Sequence, residues 1–271
     1  MKHIPPVVWA LIGINGVIYI PALIAPEVYK TLLNHFALYF PKSDSFQVFQ
    51  LISYMFLHDG RSLMHIFFNM FALASFGIPL TMVWGWKRFL IFYFTTGIGA
   101  GLVYLSVNYF HFTNAYQAFI AAGFTPESIF TFLEISVVAE SQESLIALLE
   151  ASSIDLSLFA NLPRETVQSL SNNYDSSAVG ASGAIYGILV AFGVLFPDAK
   201  LSLIFIPVPM PAKYFIPVIV LLDLFSGITG VSLFGGGIAH FAHVGGAVIG
   251  FLIMLYWKVK YPVNIQYQGL E

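Results

Sequence analysis

The sequence predicts an all-α membrane protein: a bundle of six transmembrane helices with an extra helical insertion between the third and the fourth. Three observations lead there. The 271 residues are 58% hydrophobic and only 9% charged, with mean hydropathy +0.81, whereas a soluble domain carries about 25% charged residues. Six stretches are apolar over the roughly 20 residues that a bilayer crossing requires, at about 6–25, 63–83, 89–110, 178–197, 214–233 and 237–257. Strand-like alternation is absent from them, and without water to bond the backbone the helix is the conformation left.

The first stretch follows a single lysine, Lys2, runs long, and closes without a small-residue cleavage site, so it reads as a span rather than a signal peptide. The second and third are separated by Lys87 and Arg88. All but the fifth lack Lys, Arg, Asp and Glu; the fifth contains Asp223 near its middle. Lys2, Lys87, Arg88, Lys200, Lys213, Lys258 and Lys260 fall on one side of a six-span arrangement. Lys30, Lys42, Arg61 and Arg164 fall on the other, in longer loops. Because cytoplasmic loops collect basic residues, both termini are expected in the cytoplasm of a multi-pass protein of the plasma (cell inner) membrane, with segments 26–62 and 111–177 outside.

Segment 111–177 stands apart. It holds eight of the fourteen acidic residues and one basic residue. "ESLIALLEASSI" and "PRETVQSLSNNY" repeat apolar residues three and four apart, and Pro163 with Glu165 marks a helix start. The expected division is therefore a membrane domain of residues 1–110 and 178–271, interrupted by an acidic helical hairpin at 111–177. A net charge of −3 gives no reason to expect a nucleic-acid partner. The absence of cysteine excludes disulfides, thiolate catalysis and sulfur-ligated metal.

Polar residues in the spans share a depth. His65 and Asn69 lie in the first turns of span two, Ser182 at the start of span four, and His240 and His243 in the first turns of span six. All three spans run inward, so each residue is within roughly 10 Å of an outer helix end at 1.5 Å per residue. Ionisable groups at that depth line a bundle interior or a water-filled cavity. Duller readings exist. A serine in a span commonly bonds its own preceding turn, and Asn69 or His65 can simply join helices. His58, His65, His240 and His243 offer imidazoles to a metal, but no carboxylate lies in the first turns of these spans.

For nucleophilic chemistry Ser182 meets several demands. A helix start supplies unpaired N–H groups and positive potential for a developing oxyanion. Gly180 and Gly183 leave room for a peptide carbonyl, His243 is a candidate base, and His65 with Asn69 can donate from side chains. No orienting acid is evident, since Asp59 and Asp175 lie in loops and Asp223 near mid-span, so the expectation is a Ser–His dyad. Gly246 and Gly250 form a G-x-x-x-G that would press span six onto span four, with Tyr186 beneath the imidazole.

These residues resemble the rhomboid family of intramembrane serine proteases. The matching features are Gly180-Ala181-Ser182-Gly183 with Tyr186 and Gly187 following, His65-x-x-x-Asn69, and Ala242-His243-x-x-Gly246-x-x-x-Gly250. "YMFLHDG" and "WGWKRFLIFY" also look alike, over roughly 45–110 and 178–257. The resemblance implies a rhomboid-like bundle. In it Ser182 would be nucleophile, His243 the base and then the acid, and His65, Asn69 and the Ser182 N–H the oxyanion hole. Tyr186, Gly180, Gly183, Gly246 and Gly250 would support the site. It further implies cleavage in or near transmembrane segments of single-span or multi-span substrates in the lipid bilayer, with no cofactor and no metal. The alternative is a catalytically inactive relative that binds membrane clients. A solute transporter would call for inverted repeats, which the sequence lacks. Thr81 stands where family members often carry glutamate, and "LFSGITGVSLFGGGI" (224–238) is a candidate flexible cap.

Overall fold

The computed structural model describes residues 5–203, 206–231 and 239–260. It is built mainly of helices: α1 (Pro6–Ile24), α2 (Pro26–Phe36), α3 (Gln50–Ser53), α4 (Leu63–Trp84), α5 (Trp86–Ala121), α6 (Pro126–Val138), α7 (Gln142–Glu150), α8 (Arg164–Tyr174), α9 (Ser182–Leu195), α10 (Ala212–Thr229) and α11 (Ala239–Lys260). Five of these, α1, α4, α5, α10 and α11, are long and apolar enough to cross a membrane. Their outward faces leave Val17, Ile24, Phe67, Ile91, Leu221 and Phe251 exposed. An apolar surface that extensive is stable against lipid rather than water, and the protein is an integral, multi-pass membrane protein.

Helix α9 is the sixth apolar helix and departs from the expected 178–197 span: it has 14 residues. The cause is local. Ser177 and Ala178 pair with Tyr39 and Leu38 in a short antiparallel ladder, and Gly180 follows with φ +127, a conformation open to glycine and costly for other residues. Its N–H donates to the Tyr54 carbonyl at 2.9 Å. At the far end Phe196 precedes Pro197, which cannot continue a helix.

The third apolar stretch also ran further than expected. Helix α5 has 36 residues, about 54 Å long at helical rise, and passes through the predicted boundary at 110. Its extension carries Phe112, Ala115 and Phe119 into a second core with Phe132, Leu133 and Leu170. Segment 111–177 is accordingly more than a hairpin. Helices α6, α7 and α8 and the turn Leu156–Asn161 pack on the end of α5. Thr125 caps α6 by accepting from the Ser128 N–H, and Ser141 caps α7 from the Ser144 N–H. Pro163 occupies the N-cap position of α8, without a side-chain cap bond, where the sequence predicted a helix to begin.

Segment 26–62, read only as a loop, contains α2 and α3. The buried Gln50 organises it: its Nε2 donates to the His35 and Ser45 carbonyls, and its Oε1 accepts from the Tyr39 and Gln47 N–H groups. A small ladder, Lys200–Leu203 with Ile206–Pro211, links α9 to α10 and was not expected. Thr81, buried in α4, returns its hydroxyl to the Gly77 carbonyl at 2.7 Å. Lys2 and residues 232–238 of the glycine-rich segment lie outside the described residues.

At the centre α9 is flanked by α4, α5, α10 and α11. Close approach comes from glycine. A Cβ on Gly246 would overlap the Gly183 carbonyl, one on Gly250 would sit 2.7 Å from Gly187 Cα, and one on Gly187 2.6 Å from Thr96 Cγ2. Gly183 and Gly187 on α9 thus face Gly246 and Gly250 on α11. The facing motifs bring the two backbones into direct contact.

Candidate functional site

Ser182 is the first residue of α9, so its N–H and the next two have no partner within the helix; the Ile185 N–H is the first to be paired, with the Ala181 carbonyl. Its Oγ lies 2.8 Å from His243 Nε2, across 61 residues of sequence. Both side chains are partly exposed. The imidazole is held on its lower face by Tyr186, whose ring lies 4.4 Å away and is tilted by 9°. Tyr186 sits one turn below Ser182, so the glycine contact between α9 and α11 sets both spacings.

The His243 Nδ1 is also occupied. It lies 3.3 Å from Asp223 Oδ2. The other carboxylate oxygen bonds His240 Nδ1. Asp223 is 4% exposed and His240 2%. A carboxylate thus stands behind His243, where none was expected from the sequence. Measured from Thr229, the last residue of α10, Asp223 lies six residues in, about 9 Å along the helix; His243 lies four residues, about 6 Å, from Ala239. One sequence signal pointed to it: Asp223 is the single acidic residue in any of the six apolar stretches.

His65 approaches from α4. A Cβ added to Gly180 would lie 3.1 Å from His65 Nε2 and 3.5 Å from Ser182 Oγ, so both atoms border the same space above Gly180. The Asp59 N–H donates to His65 Nδ1 at 3.2 Å, so the proton of the neutral ring resides on Nε2. Asn69 is 6% exposed, and its Nδ2 donates to the His65 carbonyl one turn back at 2.9 Å. One of its two amide hydrogens is thus spent within α4.

His58 packs edge-on against His65, with ring centroids 5.1 Å apart. It is fully buried, and neither ring nitrogen has a hydrogen-bond partner among the described residues. Burial, reinforced by neighbouring His65, pushes its pKa down to about 3, so the ring is neutral. Its backbone is clamped instead: the His58 N–H donates to Tyr29 Oη at 3.0 Å, and that hydroxyl donates to the His58 carbonyl at 2.6 Å.

Among the described residues, Asp223, His240 and His243 have ligand atoms within 4.8 Å of one another, close enough for a cation. His58 and His65 are not part of that group. Hydrogen bonds already account for both carboxylate oxygens and for the Nδ1 atoms of both histidines. Chemically the arrangement supplies a hydroxyl, an imidazole acceptor on it, a carboxylate behind the imidazole, and N–H donors from two helices near the hydroxyl.

The sequence profile of the Rhomboid domain matches residues 45–160 and 156–259. A stretch of 91 residues is 35% identical to "Rhomboid protein 1, mitochondrial" of Saccharomyces cerevisiae, covering 34% of this chain and 25% of that protein. The chain therefore spans about a quarter of the curated relative's length in this match. With the profile covering most of its length, the chain belongs to the rhomboid family.

Proposed function

We propose that the protein is an intramembrane serine endopeptidase that cuts peptide bonds in or near transmembrane segments of membrane proteins through an acyl-enzyme. The observation that carries this reading is the 2.8 Å contact between Ser182 Oγ and His243 Nε2. His243 Nε2 takes the serine proton as Oγ bonds the substrate carbonyl carbon, and the carbonyl electron pair moves onto oxygen. The Ser182 N–H, His65 Nε2 and Asn69 donate to that oxygen, a contribution worth about 10²–10³ in rate per donor. Collapse breaks the C–N bond, with His243 returning its proton to the leaving amine. Water then hydrolyses the ester by the same route in reverse.

Helix α9 supports a place for this chemistry inside the bilayer. Its 14 residues span about 21 Å, against roughly 30 Å of hydrocarbon. With its far end at one face of the membrane, Ser182 sits below the other, still reachable by water from that side. In this reading α9 completes six crossing helices, both termini are cytoplasmic in the plasma membrane, and residues 111–177 are an extracytoplasmic helical insertion. No cofactor or metal enters the reaction.

The test uses purified wild type, Ser182→Ala and His243→Ala with a model single-span substrate in detergent micelles. Cleavage by wild type alone supports the reading. Equal cleavage by all three overturns it. Substrate binding without cleavage by any of them identifies a client-binding protein instead.

A further inference from the structure

We infer that Asp223 is a positioning residue for His243, turning the serine–histidine pair into a Ser–His–Asp relay built on three helices. This rests on the protease reading above. A buried carboxylate in a membrane helix is costly unless fully partnered. Asp223 has a partner on each oxygen: His240 on Oδ1 and His243 on Oδ2 at 3.3 Å. His240 already anchors one oxygen of the carboxylate. The contact with His243 does something further. An Nδ1–H donated to Asp223 leaves Nε2 bare, and only that tautomer accepts the Ser182 proton across 2.8 Å.

The length of the contact indicates when it acts. At 3.3 Å it is at the loose end of hydrogen-bond geometry, as catalytic bonds commonly are before substrate binds. Once His243 holds the serine proton, its Nδ1–H belongs to an imidazolium, and a charge-assisted bond to carboxylate is shorter and roughly twice as strong. Asp223 stays ionised, and no proton passes to it. Stabilisation present in the transition state but weak in the ground state raises kcat and leaves KM alone. His240 keeps the carboxylate from swinging away, and the Tyr186 ring keeps the imidazole in plane with it.

The experiment compares wild type with Asp223→Asn, which preserves shape and puts an amide donor or a weaker acceptor against Nδ1. Both are labelled with a fluorophosphonate probe, recording the rate and the final stoichiometry, and both are assayed on the single-span substrate. The expected result is unchanged final stoichiometry, unchanged KM, and labelling and kcat slower on the order of 10²-fold. That is less than the roughly 10⁴ lost when the aspartate of a soluble triad is amidated, because Tyr186 still holds the ring. Equal labelling rates and kcat overturn the inference, as does a loss confined to the final stoichiometry, which reports folding alone. Should Asp223→Asn fail to fold, His240→Phe removes the imidazole that anchors the other carboxylate oxygen: a several-fold slower rate supports the relay and a wild-type rate overturns it. Wild type that neither labels nor cleaves removes the protease reading and the relay together, whereas labelling of wild type with an indifferent Asp223→Asn removes the relay alone.

Discussion

Gly250→Ala isolates the role of the close helix contact, because it adds one methyl group well away from the reacting atoms. That methyl would lie 2.7 Å from Gly187 Cα and 3.0 Å from the Gly187 carbonyl oxygen. Ordinary van der Waals contact begins near 3.4 Å, so α11 must move from α9 by about 0.7 Å. Both neighbours are backbone and cannot rotate aside. If His243 moves with its helix, the 2.8 Å contact to Ser182 opens to about 3.5 Å, the limit of a hydrogen bond. Overpacking of this kind costs about 1–3 kcal/mol of stability, and an ångström of misplacement costs about 10²-fold in rate. Fluorophosphonate labelling should therefore slow by roughly 10-fold to 10²-fold, while thermal unfolding in detergent shifts modestly downward. Gly13→Ala is the control, since a methyl there meets nothing within 4 Å and alanine is the better helix former by about 1 kcal/mol. Labelling of Gly250→Ala at the wild-type rate would show that the glycine contact does not set the serine–histidine distance.

Two further outcomes follow from neighbouring residues. Replacing His65 with leucine removes the Nε2–H that borders the same space as Ser182 Oγ, and kcat should fall by about 10²–10³ with little change in KM; a fall in KM-linked affinity with kcat preserved would assign His65 to substrate binding. For His58, the folded pKa of about 3 lies below the ordinary 6.5, so the unfolded chain binds a proton that the folded one refuses. Stability from this group is complete above pH 6.5 and declines as the pH drops towards 3, by about 1.4 kcal/mol per unit. Between pH 6.5 and 5 wild type should lose about 2 kcal/mol more than His58→Phe, measured by unfolding in micelles; parallel stability curves would refute the buried neutral imidazole.

Membrane class could be read from the chain alone because hydropathy is a local property: each apolar stretch must meet lipid or core wherever it lies. The glycine spacing of Gly246 and Gly250 was visible for the same reason, and so was the start of α8 after Pro163, whereas the glycine partners Gly183 and Gly187 emerged only from the packing. Boundaries were poorer where tertiary contacts override composition. Helix α5 runs on to Ala121 because Phe112 and Phe119 find a second core. Helix α9 starts late because Gly180 bonds Tyr54, 126 positions earlier in the chain, and Ala178 pairs with Leu38. Most telling is Asp223. Its residue type and apolar setting were plain, but the face of α10 it occupies depends on the rotation of that helix against α11. Rotational phase between helices is not written in either one; it is settled by packing across the whole bundle. Residue types, their order and their affinity for lipid thus belong to the sequence itself. Which side chains stand within 3 Å of each other was decided only when distant segments closed, because that distance depends on every contact between them.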